Sequence, residues 1–323
     1  MPLTLWTNAV FHEAATRMLL EGIHPHRLLV SENASASVLA AGQPDPALAQ
    51  ADIAFGQPDP EDCLRNPRLR WVEVSSAGYT RYDTPAFLDA FRQRKAAFTN
   101  ASSVFADPCA QHVLAMMLAL ARQILPSYRD QLTDHSWHYT ERRYHSRLLT
   151  GQTVLLLGYG AIGRRLTELL TPFGVKIYAL RRSGRAEAGV QIVSEADLPS
   201  LWPLADHIVN ILPAHPTTEG FVNAQRLAAC RADAHFYNIG RGSTVDQSAL
   251  AAALRSGNLG AAYLDVFEPE PLPASHELWT TPNCFITPHT AGGRHDQDET
   301  LVRHFLENLA SFEAGKPLRD QIL

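Results

Sequence analysis

The chain has 323 residues, 46% of them hydrophobic and 19% charged, which excludes a stapled miniprotein and a disordered chain and leaves room for two ordinary cores. Its 28 Lys and Arg against 33 Asp and Glu give a formal charge of −5, without the basic excess that a nucleic-acid partner demands. Cys63, Cys109, Cys230 and Cys284 lie far apart with no C-x-x-C pair, which argues against a zinc knuckle or disulfide framework and predicts a reduced, cytoplasmic setting.

The opening run Met1-Pro2-Leu3-Thr4-Leu5-Trp6 has no basic export region, and the longest apolar stretch, Val113 to Ala121, is too short to cross a bilayer. Neither export nor a membrane anchor is expected. Leu28-Val30, Ile53-Phe55 and Trp71-Val74 read as strands between helical stretches and Pro-rich turns, giving a small α/β unit. Asp107-Pro108 predicts a helix start, with Leu114, Met117, Leu118, Ala121 and Leu125 at helical spacing beyond it. A polar arm from Ser127 to Leu149 follows and carries Trp137.

From Gly151 the pattern is more regular. Val154-Leu157, Val175-Leu180, His207-Leu212, His235-Ile239, Ala261-Val266 and Cys284-Thr287 are short apolar runs of the kind found in buried parallel strands. Helical stretches at Arg164-Leu170, Ala224-Cys230 and Gln247-Leu254 separate them, the last stopped by Gly257. A final helix from Glu299 to Ala314 suggests that the C-terminal segment packs back on the first unit.

Gly158-Tyr159-Gly160-Ala161-Ile162-Gly163 directly follows one predicted strand and directly precedes a helix, the context that a dinucleotide-binding turn requires. Gly158 allows the tight turn, Gly160 the approach of a pyrophosphate, and Gly163 close packing of helix on strand. The next strand ends at Arg181-Arg182-Ser183, where NAD-specific proteins place an acidic residue to bind the ribose hydroxyls. Two guanidiniums and a hydroxyl suit a ribose 2′-phosphate, so NADP(H) is expected in preference to NAD(H), which a solvated basic turn would still admit.

Three further motifs follow predicted strands: Asn238-Ile239-Gly240-Arg241-Gly242, Leu264-Asp265-Val266-Phe267-Glu268-Pro269-Glu270-Pro271-Leu272-Pro273, and Thr287-Pro288-His289-Thr290-Ala291-Gly292. With the glycine turn before them, in this order, the chain resembles the D-isomer-specific 2-hydroxyacid dehydrogenase family over nearly its whole length. The resemblance implies a catalytic set of Arg241, which grips the substrate carboxylate and carbonyl, His289, which exchanges a proton with the substrate oxygen, and Glu270, which hydrogen-bonds His289 and favours its charged form. Glu268 lies close by but does not match. The resemblance also places Asp265 near the nicotinamide carboxamide, though an Asp ending a strand also caps turns. It makes Ala77 and Gly78, in Val74-Ser75-Ser76-Ala77-Gly78, amide contacts of the substrate carboxylate, although Gly78 suits an ordinary turn too.

Gln111 stands where many relatives have glutamate, and Trp137 sits on an arm that in glyoxylate and hydroxypyruvate reductases reaches a partner subunit; a homodimer is expected. No H-E-x-x-H or other metal signature is present, so no metal is expected. The expected fold is a Rossmann-type doubly wound parallel sheet, residues 103–288, inserted into a smaller flavodoxin-like α/β catalytic domain formed by 1–102 and 289–323, with the substrate in the cleft. The expected reaction is reduction of a small 2-oxo acid, such as glyoxylate or hydroxypyruvate, to the D-2-hydroxy acid by NADPH. The alternatives are a dehydrogenase of another small anion, phosphite or D-3-phosphoglycerate, and a corepressor-like sensor of NAD(P)H without catalysis.

Overall fold

Runs of four or five consecutive apolar residues cannot keep one face wet, and every strand built from them here pairs in parallel within a sheet. The computed structural model describes residues 2–181 and 187–323. The chain divides into two units, Met1–Phe105 with Arg294–Leu323, and Ala106–Gly293. The boundaries after Phe105 and Gly293 lie slightly beyond those expected after Ser102 and Pro288, which puts His289 in the second unit.

The first unit contains β1 (Thr4–Ala9), α1 (Glu13–Gly22), β2 (Arg27–Ser35), β3 (Ile53–Gly56), α2 (Pro60–Arg65), β4 (Trp71–Val74), α3 (Pro85–Gln93) and β5 (Ala97–Thr99). Its sheet has the order β2-β1-β3-β4-β5, the flavodoxin-like arrangement. Strands β1 and β5 were not among the predicted runs: β1 carries the polar Thr4, Thr7 and Asn8, and β5 is three residues long. Trp6, Val72, Val74, Phe87, Phe91 and Phe98 build one core cluster.

Helix α4 (Ser102–Ala121) carries the chain from the first unit into the second. It starts before the expected position, and Pro108 lies inside it. The start is set instead by side-chain acceptors: Asn100 Oδ1 takes the Ser102 N–H and the Asp320 carboxylate takes the Ser103 N–H at 2.7 Å. By length and apolarity α4 could span a bilayer, yet Ala110, Val113 and Met117 are fully buried and Asp107 pairs with Arg165 at 2.6 Å. It is a core helix.

The second unit continues with α5 (Ile124–Leu132), α6 (Tyr139–His145), β6 (Thr153–Leu157), α7 (Ala161–Leu170), β7 (Lys176–Leu180), β8 (Gln191–Val193), α8 (Leu198–Leu201), β9 (His207–Asn210), α9 (Ala224–Ala228), β10 (His235–Asn238), α10 (Gln247–Ser256), β11 (Ala261–Leu264) and β12 (Cys284–Ile286). The parallel order β12-β11-β10-β9-β6-β7-β8 reverses direction at β6, so the doubly wound sheet has its topological switch point between β6 and β9. Leu155, Ile208, Phe236, Leu264, Trp202 and Phe267 belong to its core. Helix α10 shows the local logic: Asp246 caps it through the Ala249 N–H, and Gly257, at φ 76°, stops it in the left-handed region.

Helix α11 (Gln297–Glu313) returns to the first unit, as its late position in the chain predicted. Phe305 stacks on Phe55 at 4.3 Å and on Trp71 at 5.2 Å. Beside these rings His304 is 3% exposed, with Nδ1 3.0 Å from Glu73 and Nε2 3.1 Å from Asp320. Both partners accept only, so the ring donates from both nitrogens and is a cation. Burial opposes that charge, but the hydrogen bonds and charges of Asp320 and Glu73 outweigh it and push the pKa up to about 9. Asn308 and Thr99 donate to the other Glu73 oxygen, which leaves the buried carboxylate fully bonded.

Candidate active site

Three neighbouring strands, β10, β11 and β12, end in register, and the loop after each carries one residue of the expected catalytic set. Arg241 follows β10 by three residues, Glu270 lies in the loop after β11, and His289 lies just beyond β12. His289 Nδ1 is 2.7 Å from Glu270 Oε2, and the other Glu270 oxygen accepts the Phe267 N–H at 2.8 Å. Burial pushes the Glu270 carboxyl up, but the His289 hydrogen bond, the Phe267 N–H and the charges of His289 and Arg241 hold it below its ordinary value. An ionised carboxylate only accepts, so Nδ1 carries a proton and Nε2 is the ring atom left for proton exchange.

The Arg241 backbone is fixed from below. Its carbonyl accepts from Thr244 Oγ1 at 2.6 Å and from Asn238 Nδ2 at 3.2 Å, while its Nη1 donates to the Gly240 carbonyl at 2.7 Å. Asn210 donates to Asn238 and to Thr244, tying the ends of β9 and β10 together. Gly242 is required by proximity: a Cβ there would lie 1.9 Å from the Phe267 carbonyl carbon, so only glycine lets the Arg241 loop pass against the loop of Glu270.

His289 has φ 54°, a backbone conformation that a non-glycine residue holds only when its surroundings impose it. Asp265 imposes it. Its carbonyl accepts the His289 N–H at 2.8 Å, and its buried carboxylate accepts the N–H groups of Thr290 and Ala291 at 2.8 and 2.9 Å and the Thr287 hydroxyl. The carboxylate expected beside a nicotinamide is thus committed to the loop that bears His289. Behind it, Tyr263 shares its hydroxyl between Thr287 and His112, the latter at 2.6 Å. Sequence reasoning did not single out Asn210, Tyr263, Thr287 or His112. For Asn210, Tyr263 and Thr287 the available signal was weak, polar residues at or inside the ends of apolar strand runs; His112 lies within helix α4.

The glycine turn lies after β6, at the switch point. Gly158 has φ 103°, and a Cβ there would come within 3.2 Å of the Ile211 carbonyl oxygen. A Cβ on Gly160 would meet nothing within 4 Å, so the residue that caps the N-terminus of α7 presents bare, exposed backbone. Gly163 is buried, and a Cβ there would press on the Tyr159 ring at 3.1 Å. A bare turn leading into a helix N-terminus fits a dinucleotide pyrophosphate.

Arg181 follows β7 and is 2.8 Å from Glu187, which also accepts from Arg164 on α7. Arg182 and Ser183 lie outside the described residues. Ala77 and Gly78 lie in the first unit, half-buried, after β4; Asn100 donates to the Ala77 carbonyl and Ser76 to that of Gly78. On the arm, Trp137 is 92% exposed between α5 and α6. No group of three His, Cys, Asp or Glu side chains disposed to bind a metal occurs among the described residues.

Residues 114–291 match the model of the D-isomer specific 2-hydroxyacid dehydrogenase, NAD binding domain. The chain is 32% identical to the human glyoxylate reductase/hydroxypyruvate reductase over 238 residues, 73% of this chain and 72% of that one. It superposes with a TM-score of 0.83 on a D-isomer specific 2-hydroxyacid dehydrogenase from Xanthobacter autotrophicus Py2 in complex with NADPH and MES, at 28% identity and covering 100% and 98% of the two chains. An NADPH-dependent glyoxylate/hydroxypyruvate reductase from Sinorhizobium meliloti, in complex with NADP and sulfate, gives a TM-score of 0.79 at 25% identity and 99% and 98% coverage.

Proposed function

This chain belongs to the D-isomer specific 2-hydroxyacid dehydrogenase family, and we propose that it reduces glyoxylate, hydroxypyruvate or a similar small 2-oxo acid to the D-2-hydroxy acid with NADPH. The single observation that carries the reading is the His289–Glu270 hydrogen bond at 2.7 Å, beside the charge of Arg241 and at the carboxyl edge of the sheet that bears the glycine turn.

A bound reduced nicotinamide nucleotide would supply the hydride, resting on the turn from Gly158 through Tyr159, Gly160, Ala161 and Ile162 to Gly163. The chain does the rest. Arg241 pairs its planar fork with the substrate carboxylate and polarises the adjacent carbonyl, so that negative charge growing on the oxygen is met by fixed positive charge. His289 gives a proton from Nε2 to that oxygen, and Glu270 holds the ring in the tautomer and orientation that make Nε2 the donor. In the oxidative direction the same nitrogen takes the proton back. Ala77 and Gly78 are proposed as further carboxylate contacts, and Asp265 as a support of the nicotinamide end through the loop it holds.

The NADPH preference draws on Arg181, Arg182 and Ser183 and on the NADPH and NADP complexes of the two structural relatives. A homodimer through the arm draws on the exposed Trp137, Tyr139, Tyr144 and Leu148, a patch of the kind that interfaces cover. Four separated free thiols fit a reducing compartment such as the cytoplasm. The test is a spectrophotometric panel of 2-oxo acids with NADPH and NADH side by side. Oxidation of NADPH by at least one acid, faster than of NADH, is expected; binding of NADPH with no turnover on any acid would overturn the reading.

A further inference from the structure

Nucleotide choice is commonly ascribed to the residues at the end of the second strand of such a sheet. Here a third participant stands between them and the glycine turn. Glu187, beyond the end of β7, places Oε1 2.8 Å from Arg181 Nη1 and 3.1 Å from Arg164 Nη2, with both of its oxygens within 3.3 Å of Arg164 Nε. Arg164 belongs to the first turn of α7, directly after Gly163, and its guanidinium lies over the Tyr159 ring at 5.8 Å. Two guanidiniums from the two elements that flank the adenosine end of a dinucleotide site thus converge on one internal carboxylate.

A carboxylate held by two guanidiniums stands in for a phosphate: it is anionic and accepts their N–H bonds through two oxygens. We propose that Glu187 is a built-in competitor for the ribose 2′-phosphate, occupying the arginine pair until NADPH displaces it, and so sets how strongly NADPH is preferred. The inference rests on the dinucleotide reading above and adds a residue that works against the favoured coenzyme. A 2′-phosphate entering the pair must break three or four hydrogen bonds to Glu187 and meet its like charge, whereas an NADH ribose, with neutral hydroxyls, has no need of the guanidiniums. Glu187 therefore penalises NADPH selectively. The pair is partly exposed, which keeps the exchange easy.

The experiment is an equilibrium titration of NADPH and of NADH, followed by nucleotide fluorescence, on the wild type, E187Q, and E187Q combined with R164Q and R181Q. E187Q keeps the size of the side chain and removes its charge. It should tighten NADPH roughly threefold to tenfold, as expected for freeing an exposed ion pair, and leave NADH within about twofold of wild type. The gain should vanish in the combined variant, and circular dichroism melting should show all three proteins folded. Unchanged or weaker NADPH binding in E187Q would overturn the proposal, as would a selective loss of NADH, which would make Glu187 a reader of ribose hydroxyls. Failure of both nucleotides to bind the wild type would instead refute the dinucleotide reading, and this inference with it.

Discussion

Each unit places a histidine against glutamate, and the two pairs have opposite characters. In the first unit His304 is 3% exposed, both ring nitrogens are bonded to carboxylates, and the next residue, Phe305, is fully buried in a stack with Phe55 and Trp71. In the second, the side chains of His289 and Glu270 are 25% and 33% exposed, and only Nδ1 is bonded within the described residues. A ring saturated at both nitrogens is a fixed cation and serves as a fastener; a ring anchored at one nitrogen has the other available for chemistry. The pairs also fail at opposite ends of the pH scale. His304 has its pKa raised to about 9, so its contribution to stability is complete below its ordinary 6.5 and is lost as pH rises through 9. Glu270 is held below its ordinary 4.5, so its pair is intact above that value and is lost as pH falls beneath it.

The contrast breaks if the roles can be exchanged, and mutation tests this most severely at His289. His289→Ala should lower kcat for 2-oxo acid reduction by about 10²- to 10⁴-fold, the usual loss of a positioned acid, with NADPH affinity, read by fluorescence titration, nearly unchanged. Collapse of the fold in that variant would make His289 a structural residue like its counterpart. His304→Leu should leave Glu73 and Asp320 as uncompensated buried charge and destabilise the first unit by about 3–5 kcal/mol, read by urea unfolding, with little change in nucleotide binding. Wild-type stability in His304→Leu would refute the fastener role. Raising the pH from 6.5 past 9 should cost the wild type about 3 kcal/mol from this group, and the His304→Leu variant should lack that part of the slope. The smallest effect is expected at the support behind His289: Tyr263→Phe removes the bridge between His112 and Thr287 and should destabilise by about 1 kcal/mol while lowering kcat severalfold. No change in either quantity would mean that Asp265 alone holds the loop.

Much of the second unit was legible in the sequence because its motifs are local. A glycine turn sits between its strand and helix within a dozen residues, and Arg241, Glu270 and His289 each follow an apolar run whose in-register pairing brings the three loops together. The fastener of the first unit was not legible. Glu73 and His304 are 231 positions apart, and no spacing rule relates a residue of an early strand to one of a late helix. The start of α4 was misplaced for the same reason: Pro108 is a local signal, while the Asp320 carboxylate that caps Ser103 comes from 217 residues away. Tyr263 reads as one more apolar strand residue, and its hydroxyl acquires a role only when His112 and Thr287 fold against it.

The discontinuity of the first unit also governs how the protein is made. Strands β1 to β5 leave the ribosome well before α11, with the whole of Ala106–Gly293 synthesised in between. At ordinary elongation speeds that interval is on the order of ten to forty seconds. During it the nascent sheet displays Phe55 and Trp71 without the covering ring of Phe305, and Glu73 waits without its imidazolium. The contiguous second unit is complete while the first is still an open, sticky half-core, which makes the early strands the segment that chaperones have most reason to shield.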